Sequence, residues 1–414
     1  MLHRCFVYVL AVTLTSFSAL VARAAEPTNK AVDDLSPLLA ESVKKHKLPG
    51  MAAAIVDGGR ITAIGAAGVR VRGHEEKITS DDLFHIGSDT KSMTATLIAL
   101  LIEEGKLRWN STPTEVLSQQ GVKKIDPAWQ RVTLEELLSH HAGVRPNPEL
   151  ATILATRLLK LSPREQRLRV CRAVLEKRPD HEPGKKFLYS NTGYIIAGAM
   201  AEAVADDSWE NLMTQRVFKP LGMIHAGFGA PGEPLPTSPK GAKAKSTVQA
   251  PITEPWGHQA NGTPVEPGPE ADNPPCLGPA GRVHLPLADW ARYATLHLSA
   301  EPANRHDLAD AGIKPLISVD SLRRLHTPFG GPIDISGAKY AMGWAVIERP
   351  GSHAVQLTHA GSNTMWYAVI TLRMAENRAI LIGINQGGDK AARAAVEVEV
   401  ALVKRTGHSV EPRK

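Results

Sequence analysis

The stretch "HIGSDTKSMTATLIALLIEEGKL", residues 85–107, combines a candidate reaction centre with a strong helix signal. Ser88 precedes Lys91 by three positions, and the apolar periodicity that begins there and stops at Gly105 predicts a helix over residues 88–104. Residues three apart lie on one face of an α-helix, so the Lys91 side chain can reach the Ser88 hydroxyl. The N–H groups and macrodipole at a helix N-terminus would stabilise both a serine alkoxide and the oxyanion that it creates.

The Ser-x-x-Lys spacing is a weak signal by itself. The same spacing begins at Ser42 and again at Ser336. A capping serine followed by an exposed helix lysine is the purely structural alternative. The position at the start of a long apolar helix, rather than the spacing, therefore makes Ser88 a candidate nucleophile and Lys91 its candidate base.

Hydrophobic periodicity divides the chain into a strand-rich start, a helical middle and a strand-rich end. Residues 51–57 and 60–69 are predicted to be two strands, because the Asp-Gly-Gly between them is a strong hairpin signal. Helical patterns continue to about residue 215, four strand-like runs lie within 341–386, and a last helix is predicted over 391–404. This order predicts an α/β (α+β) domain built from both termini with an all-helical insertion, and a site in the cleft between these parts.

The domain boundaries follow from this order of elements. Residues 25–100 and 285–414 are predicted to form the α/β part, and residues 101–220 the helical part. Residues 230–280 differ from both, with many Pro and Gly residues and little apolar periodicity. A loop of that length in a compact domain is typically a functional lid or a surface excursion, and both interpretations stay open.

The first 24 residues have the three parts of a signal peptide. A short start with Arg4 precedes the apolar run 6–21, and Ala22-Arg23-Ala24 forms a small-x-small cleavage site before Ala25. The apolar run, about 16 residues long, is short for a membrane span. We therefore expect a periplasmic or secreted mature protein without an integral membrane span, and an uncleaved anchor is the alternative.

Composition and charge exclude several classes of function. The 43% hydrophobic and 22% charged content is typical of a folded domain rather than a disordered chain. The net charge of +6 is modest and its basic residues are scattered, so nucleic-acid binding is not expected. No metal or other cofactor is predicted, because the sequence has no Cys-x-x-Cys pair and no His-Glu-x-x-His helix. Cys171 and Cys276 are equally compatible with a disulfide and with two buried thiols.

Two further motifs follow Ser88 along the chain. Tyr189-Ser190-Asn191 is the only Tyr-x-Asn in the sequence, and it precedes a predicted helix. A turn that caps the helix is the structural alternative for this motif. His-Ala-Gly occurs three times, but only His359-Ala360-Gly361 lies both after Tyr189 and at the end of a strand pattern.

In this order the three motifs resemble those of the serine β-lactamase and penicillin-binding-protein superfamily, in the branch with class C β-lactamases, D,D-peptidases and related esterases. That family carries Ser-x-x-Lys, then Tyr-x-Asn, then Lys/His-x-Gly. The stretches "PAGRVHLPLADWARYA" (279–294) and "YAMGWAV" (340–346) also look like family sequence. The resemblance covers residues 40–400 and is weakest over 230–280. It implies a β-lactamase/transpeptidase-like fold, with an antiparallel sheet flanked by helices.

The resemblance implies a catalytic role for each residue of the first two motifs. Ser88 would attack a carbonyl carbon and form an acyl-enzyme. Lys91 and Tyr189 would share the proton transfer, with Lys91 activated if burial lowers its pKa. Asn191 would orient Lys91 and hydrogen-bond the substrate amide.

The third motif bears on the oxyanion site and on substrate choice. The N–H of Ser362, directly after Gly361, is expected to complete the oxyanion site with the N–H of Ser88. Many β-lactamases have a lysine where this chain has His359, as a permanent cation for the carboxylate of a β-lactam or a D-Ala terminus. Histidine is charged only below about pH 6.5 unless its surroundings shift its pKa. This departure argues against an efficient β-lactamase. Arg282 is a further candidate cation for the substrate, although a structural or solvated arginine is the more common interpretation of such a residue.

The sequence therefore predicts an exported serine hydrolase that cleaves a small ester, amide or peptide through a Ser88 acyl-enzyme. The enzymatic alternatives are a D-alanyl-D-alanine carboxypeptidase acting on peptidoglycan and a class C-like β-lactamase. The non-enzymatic alternative is a binding or sensing protein that keeps the fold without turnover.

Overall fold

The computed structural model describes residues 31–234, 251–334, 336–348 and 355–405. The predicted signal peptide lies outside these residues. From Val32 onward the chain groups into one unit, and the predicted division into an α/β part and a helical part stays a prediction. Across the described residues, no helix is both long and apolar enough to cross a membrane.

Strands and helices alternate along the chain as follows. The strands are β1 (Asp33–Asp34), β2 (Gly50–Asp57), β3 (Arg60–Gly68), β4 (Phe84–His85), β5 (Gly227–Phe228), β6 (Gly257–His258), β7 (Pro264–Val265), β8 (Val283–Leu285), β9 (Lys339–Tyr340), β10 (Ala345–Glu348), β11 (Val355–Gly361), β12 (Tyr367–Arg373) and β13 (Arg378–Ile384). The helices are α1 (Ser36–His46), α2 (Thr90–Glu103), α3 (Pro113–Leu117), α4 (Leu134–Leu138), α5 (Leu150–Leu158), α6 (Pro163–Leu175), α7 (Asn191–Ala205), α8 (Trp209–Met213), α9 (Lys219–Leu221), α10 (Gly278–Gly281), α11 (Leu287–Leu298), α12 (His306–Asp310), α13 (Val319–His326) and α14 (Asp389–Arg405).

An eight-stranded sheet combines both ends of the chain. Its strand order is β1-β3-β2-β13-β12-β11-β10-β9, and the pairs are antiparallel apart from the short parallel pair of β1 with β3. The N-terminal hairpin β2–β3 therefore joins the C-terminal strands through the β2–β13 pair. This sheet confirms the predicted fold class, with the helical segment inserted between its two halves.

The central strands are apolar on both faces because helices cover both sides of the sheet. On one face, Ile380 and Ile382 of β13 pack in a cluster with residues of α1 and α14. On the other face, Leu381 belongs to the main core, which also holds residues of α2 and α11. A strand buried on both faces reads as a continuous apolar run, which explains why β13 was recognisable in the sequence without alternation.

Two features of the fold refine the predictions. The helix expected from residue 88 starts as α2 at Thr90, because Gly87–Asp89 form a 3₁₀ turn before it. A three-stranded sheet, β4-β8-β5, pairs His85 with His284 and thereby places the Ser88 turn beside the residues that precede β8.

The two cysteines of the described residues are buried and unpaired. Cys171 and Cys276 are both free thiols, so the thiol alternative holds in this structure. Burial raises the pKa of both thiols, in Cys276 to about 11. A thiol that remains protonated is a poor nucleophile, which leaves these residues with a packing role.

Because the sheet is buried on both faces, two Leu-to-Ala substitutions are predicted to differ strongly in their effect on the free energy of unfolding. Leu381 is fully buried, whereas Leu158 is 84% exposed. We expect Leu381→Ala to lower the free energy of unfolding by about 2–5 kcal/mol, and Leu158→Ala to change it by less than about 0.5 kcal/mol. Urea denaturation followed by circular dichroism measures both values, and similar losses in the two variants would contradict the described packing.

Candidate active site

The candidate nucleophile lies in the 3₁₀ turn between β4 and α2. Gly87 has a φ of +51°, a left-handed conformation that glycine adopts with little strain. Ser88 follows it, and Lys91 lies in the first turn of α2, where its side chain is fully buried. The i to i+3 spacing brings the two groups together as predicted, with 3.1 Å between Lys91 Nζ and Ser88 Oγ.

The Lys91 amine bonds to three different parts of the chain. Besides Ser88 Oγ, Nζ donates to Asn191 Oδ1 at 2.7 Å and to the Ala280 carbonyl oxygen at 2.8 Å. These three acceptors match the three donors of a charged lysine. The structure thus brings together Ser88, Lys91 and Asn191 as predicted, and it adds Ala280, which sequence analysis had not singled out.

The Tyr-Ser-Asn motif acts as a helix cap and as part of the site. The Ser190 hydroxyl accepts a hydrogen bond from the N–H of Gly193 and so caps α7. The cap fixes the first turn of α7, from which Asn191 reaches Lys91. The Tyr189 ring centroid lies 4.8 Å from Lys91 Nζ. The structural interpretation as a helix cap therefore holds, and the same cap places Tyr189 and Asn191 beside Lys91, where their catalytic roles stay a prediction.

Burial controls the protonation of the candidate base. It lowers the pKa of Lys91 from 10.5 to about 7, and the Asp89 carboxylate acts in the opposite direction. Burial also raises the pKa of Tyr189 above its ordinary value, and a hydrogen bond with Ser88 acts against that rise. Near neutral pH a large fraction of Lys91 is therefore uncharged and able to accept the Ser88 proton, while the Tyr189 phenol keeps its own proton.

The Ser88 turn and the end of β11 approach each other at two glycines. A Cβ on Gly361 would lie 1.8 Å from the Ile86 carbonyl oxygen and 2.8 Å from Ser88 N, and a Cβ on Gly87 would lie 2.3 Å from Ser362 N. Only glycine fits at either position. This close approach brings the N–H groups of Ser88 and Ser362 into the same small region, as an oxyanion site requires.

His359 takes part in a buried hydrogen-bond chain. Its Nδ1 lies 3.1 Å from Asp89 Oδ1 and its Nε2 lies 3.0 Å from the Tyr340 hydroxyl. Each ring nitrogen makes one hydrogen bond, so both are occupied within the protein. Burial lowers the pKa of His359 to about 3, and the nearby Lys91 charge acts in the same direction. A neutral His359 is thus a structural link in this arrangement, and its predicted substrate contact stays a prediction.

Several residues of this site were not predicted from the sequence. Asp89 and Tyr340 hold His359, and Asp89 gave little signal because it lies inside Ser-x-x-Lys, where an exposed helix residue is the default interpretation. Arg282, for which the sequence left a structural role and a substrate-binding role open, forms an ion pair with Asp272. The family-like stretch around residues 279–294 was the one hint that pointed to Ala280.

Ser88, the buried Lys91 amine, the Tyr189 ring and the backbone N–H groups of Ser88 and Ser362 lie together where the Ser88 turn meets the end of β11, and this combination is typical of an acyl-transfer site of the serine hydrolase type. Comparison with protein families agrees with this assignment. The model of the Beta-lactamase family matches residues 35–403, so the chain belongs to the beta-lactamase family, within the serine β-lactamase and penicillin-binding-protein superfamily.

Proteins similar to this chain include a penicillin-binding protein and a hydrolase. The chain is 29% identical to penicillin-binding protein 4 of Amycolatopsis lactamdurans over 315 residues. This match covers 74% of this chain and 73% of that protein. It is 25% identical over 315 residues to an unguisins hydrolase of Aspergillus campestris, across 75% of this chain and 54% of the hydrolase.

Solved structures share the fold at lower sequence identity. An octameric penicillin-binding protein homologue from Pyrococcus abyssi matches with a TM-score of 0.67 and 22% identity, over 90% of this chain and 77% of that chain. A D-alanine carboxypeptidase from Burkholderia cenocepacia matches with a TM-score of 0.63 and 20% identity, over 88% and 96% of the two chains.

The lowered pKa of Lys91 predicts an acid limb in the pH dependence of the reaction. Protonated Lys91 cannot accept the Ser88 proton, so kcat/KM for an uncharged ester should rise about tenfold per pH unit below pH 7 and level off above it. The midpoint should lie near the Lys91 pKa of about 7. Stopped-flow or plate assays between pH 5 and 9 measure this profile. A flat profile, or a midpoint above pH 9, would contradict Lys91 as the base.

Proposed function

We propose that this protein is an exported serine hydrolase that cleaves an uncharged ester or amide through an acyl-enzyme on Ser88. One observation carries the proposal: the fully buried Lys91 amine bonds to Ser88 Oγ at 3.1 Å and has a pKa of about 7. A base with that pKa, in direct contact with a hydroxyl, is suited to activating it at neutral pH. Export is proposed from the signal-peptide pattern of residues 1–24 alone.

The reaction begins with proton transfer from Ser88. Neutral Lys91 accepts the hydroxyl proton while Oγ bonds to the substrate carbonyl carbon, and the carbonyl oxygen gains negative charge. The N–H groups of Ser88 and Ser362 stabilise that charge. Collapse of the tetrahedral intermediate breaks the bond to the leaving group, which takes a proton from Lys91, or from Tyr189 while Tyr189 regains one from Lys91. Water then attacks the acyl carbon and gives a proton to the same pair. The bond between the acyl carbon and Ser88 Oγ breaks, and the pair returns a proton to Oγ, which restores the free enzyme.

The contacts of the nearby cations support an uncharged substrate. A carboxylate beside the scissile bond needs a free cation or several donors, because an unpaired buried charge is costly. Both nitrogens of His359 are occupied, and Arg282 pairs with Asp272. These contacts favour an esterase, or an amidase for neutral amides, over an enzyme that selects a terminal carboxylate.

A D-alanyl-D-alanine carboxypeptidase is the second candidate. It is supported by the 29% identity to penicillin-binding protein 4, whose name says that it binds penicillin. The class C-like β-lactamase is disfavoured by the same neutral His359. A binding protein without turnover is the non-enzymatic rival, and acylation of Ser88 separates it from all three enzymes.

Covalent labelling tests the nucleophile. We expect a fluorophosphonate to add one adduct to the protein, and Ser88→Ala to abolish the adduct, because Ser88 Oγ is the group in contact with Lys91. Ser336→Ala is the matched control, since Ser336 begins the same Ser-x-x-Lys spacing and should keep full labelling. Intact-mass spectrometry reads out both variants. Equal labelling of Ser88→Ala and the wild-type chain, or an unlabelled wild-type chain, would exclude the proposed reaction.

Paired substrates test the preference for an uncharged group. We expect p-nitrophenyl esters to be cleaved faster than nitrocefin. Release of the last residue from a D-Ala-D-Ala peptide should be at least about tenfold faster for the C-terminal amide than for the free acid, because an unmatched charged group costs about 1–3 kcal/mol. Values of kcat/KM for the panel provide the measurement. A preference for the free acid would support the carboxypeptidase instead.

A further inference from the structure

Three loops of the candidate active site, at residues 85–88, 280–281 and 362–363, are all bonded to one short segment. The segment is residues 271–273, Ala-Asp-Asn, in the Pro-rich part of the chain. The Asp272 carboxylate bonds to His85 at 2.8 Å. Asn273 Nδ2 donates to the Gly281 carbonyl oxygen at 2.7 Å. The Ala271 carbonyl oxygen accepts a hydrogen bond from Asn363 Nδ2 at 3.2 Å.

Each of these contacts lies within three residues of a group that the reaction uses. Gly281 follows Ala280, whose carbonyl oxygen accepts from Lys91. Asn363 follows Ser362, which supplies one N–H of the oxyanion site. The loops also touch directly, because a Cβ on Gly281 would lie 3.4 Å from the Gly87 carbonyl carbon and oxygen. A shift of the segment would therefore change the backbone positions of all three loops.

Of the three contacts, the one through His85 has the clearest link to the nucleophile turn. The Gly87 N–H donates to His85 Nδ1 at 3.1 Å. A backbone N–H can only donate, so Nδ1 must be unprotonated and the ring proton lies on Nε2, from which it is donated to Asp272. Asp272 therefore fixes the tautomer that holds Gly87, the residue before the nucleophile. His85 is completely buried, and no water can replace a lost partner without entering the core.

The Asp272 carboxylate keeps its charge in this buried position. Burial raises its pKa, but the hydrogen bond from His85 and the charge of Arg282 outweigh that effect, so the Asp272 pKa lies below its ordinary value. A charged acceptor makes a stronger hydrogen bond to His85 than a neutral one. Arg282 thereby stabilises the carboxylate that holds the histidine, which gives this arginine a role other than substrate binding.

We infer that segment 271–273 is a positioning element for the acyl-transfer reaction, with Asp272 as its main residue. It acts through His85 on Gly87 and so on the direction of the Ser88 N–H, and through Asn273 on the Ala280 carbonyl that holds Lys91. None of its side chains is in contact with Ser88 Oγ. This inference rests on the proposed hydrolase function, and it assigns a role to part of a Pro-rich region for which the sequence left a lid and a surface excursion open.

The test compares two buried, arginine-paired aspartates. Asp272 and its partner Arg282 are 3% and 16% exposed, and Asp82 and its partner Arg70 are 2% and 21% exposed. Asp82 also bonds to Thr79, and among the described residues its side chain forms no hydrogen bond or ion pair with the three loops. The substitutions are Asp272→Ala, Asp272→Asn and Asp82→Ala in the otherwise unchanged chain, assayed with a p-nitrophenyl ester and by fluorophosphonate labelling.

A positioning role predicts a specific pattern. Asp272→Ala should lower kcat by about 10²-fold, which is the scale for a misaligned oxyanion donor, with little change in KM. Asp272→Asn keeps an oxygen that accepts from His85 and should recover at least part of kcat. Asp82→Ala should keep kcat near the wild-type value even if both alanine variants melt at similarly reduced temperatures.

Other outcomes overturn the inference. If Asp272→Ala and Asp82→Ala lose the same fraction of kcat, Asp272 contributes only to stability. If Asp272→Ala raises KM without lowering kcat, or if Asp272→Asn is as impaired as Asp272→Ala, the link through His85 is not the cause. A wild-type chain that neither cleaves esters nor reacts with the phosphonate removes the proposed function and this inference together. A reactive wild type with a fully active Asp272→Ala removes this inference alone.

Discussion

The burial of one amine, that of Lys91, is the constraint on which the rest of the site depends. An ammonium group taken out of water loses a large hydration energy, which is tolerable only if its donors are bonded or its proton is lost. The three acceptors come from the Ser88 turn, from the start of α7 and from α10. Those three elements must therefore meet around one atom, and the antiparallel sheet with its helical insertion is the arrangement that brings them there.

The same lack of water disfavours charge on the neighbouring groups as well. Burial raises the pKa of Asp89 well above its ordinary value and lowers the pKa of His359 to about 3. Lys91, Asp89 and His359 thus all shift towards their uncharged forms, although their ordinary charges differ in sign. A site of this kind is suited to proton transfer between neutral groups. The proposed preference for an uncharged substrate follows from this, because a permanently charged lysine in the third motif would be the natural partner of a substrate carboxylate.

Parts of this structure could be predicted because their signals are local in sequence. The β2–β3 hairpin follows from Asp57-Gly58-Gly59, and the continuous apolar runs of β12 and β13 follow from burial on both faces. The contact between Ser88 and Lys91 follows from helical spacing. The cap at Ser190 explains why Tyr-Ser-Asn was both a credible turn and a credible site motif, since the hydrogen bond that starts α7 also fixes Asn191.

The remaining features could not be predicted, because they depend on contacts between distant segments and on backbone groups that any residue type supplies. The carbonyl oxygen of Ala280 carries no side-chain signature. The link between Asp89 and His359 joins residues 270 positions apart, and it exists only because Gly87 and Gly361 let two backbones approach. Segment 271–273 lies in a region without apolar periodicity, so its side-chain-to-backbone bonds left no pattern to recognise.

Gly87, Gly361 and segment 271–273 have complementary roles. These roles explain how a loop without apolar periodicity can influence the geometry of an otherwise regular site. Gly87 and Gly361 permit the close approach of the turn and β11, but glycine also allows the widest range of backbone conformations. A conformation that glycine permits must be selected by something else. The His85 and Asn363 side chains hold the residues beside these two approaches, and both are bonded to segment 271–273. The glycines therefore permit the close approach, and segment 271–273 restrains the backbone beside it. Both are needed if two N–H groups are to keep a fixed direction while the chemistry proceeds.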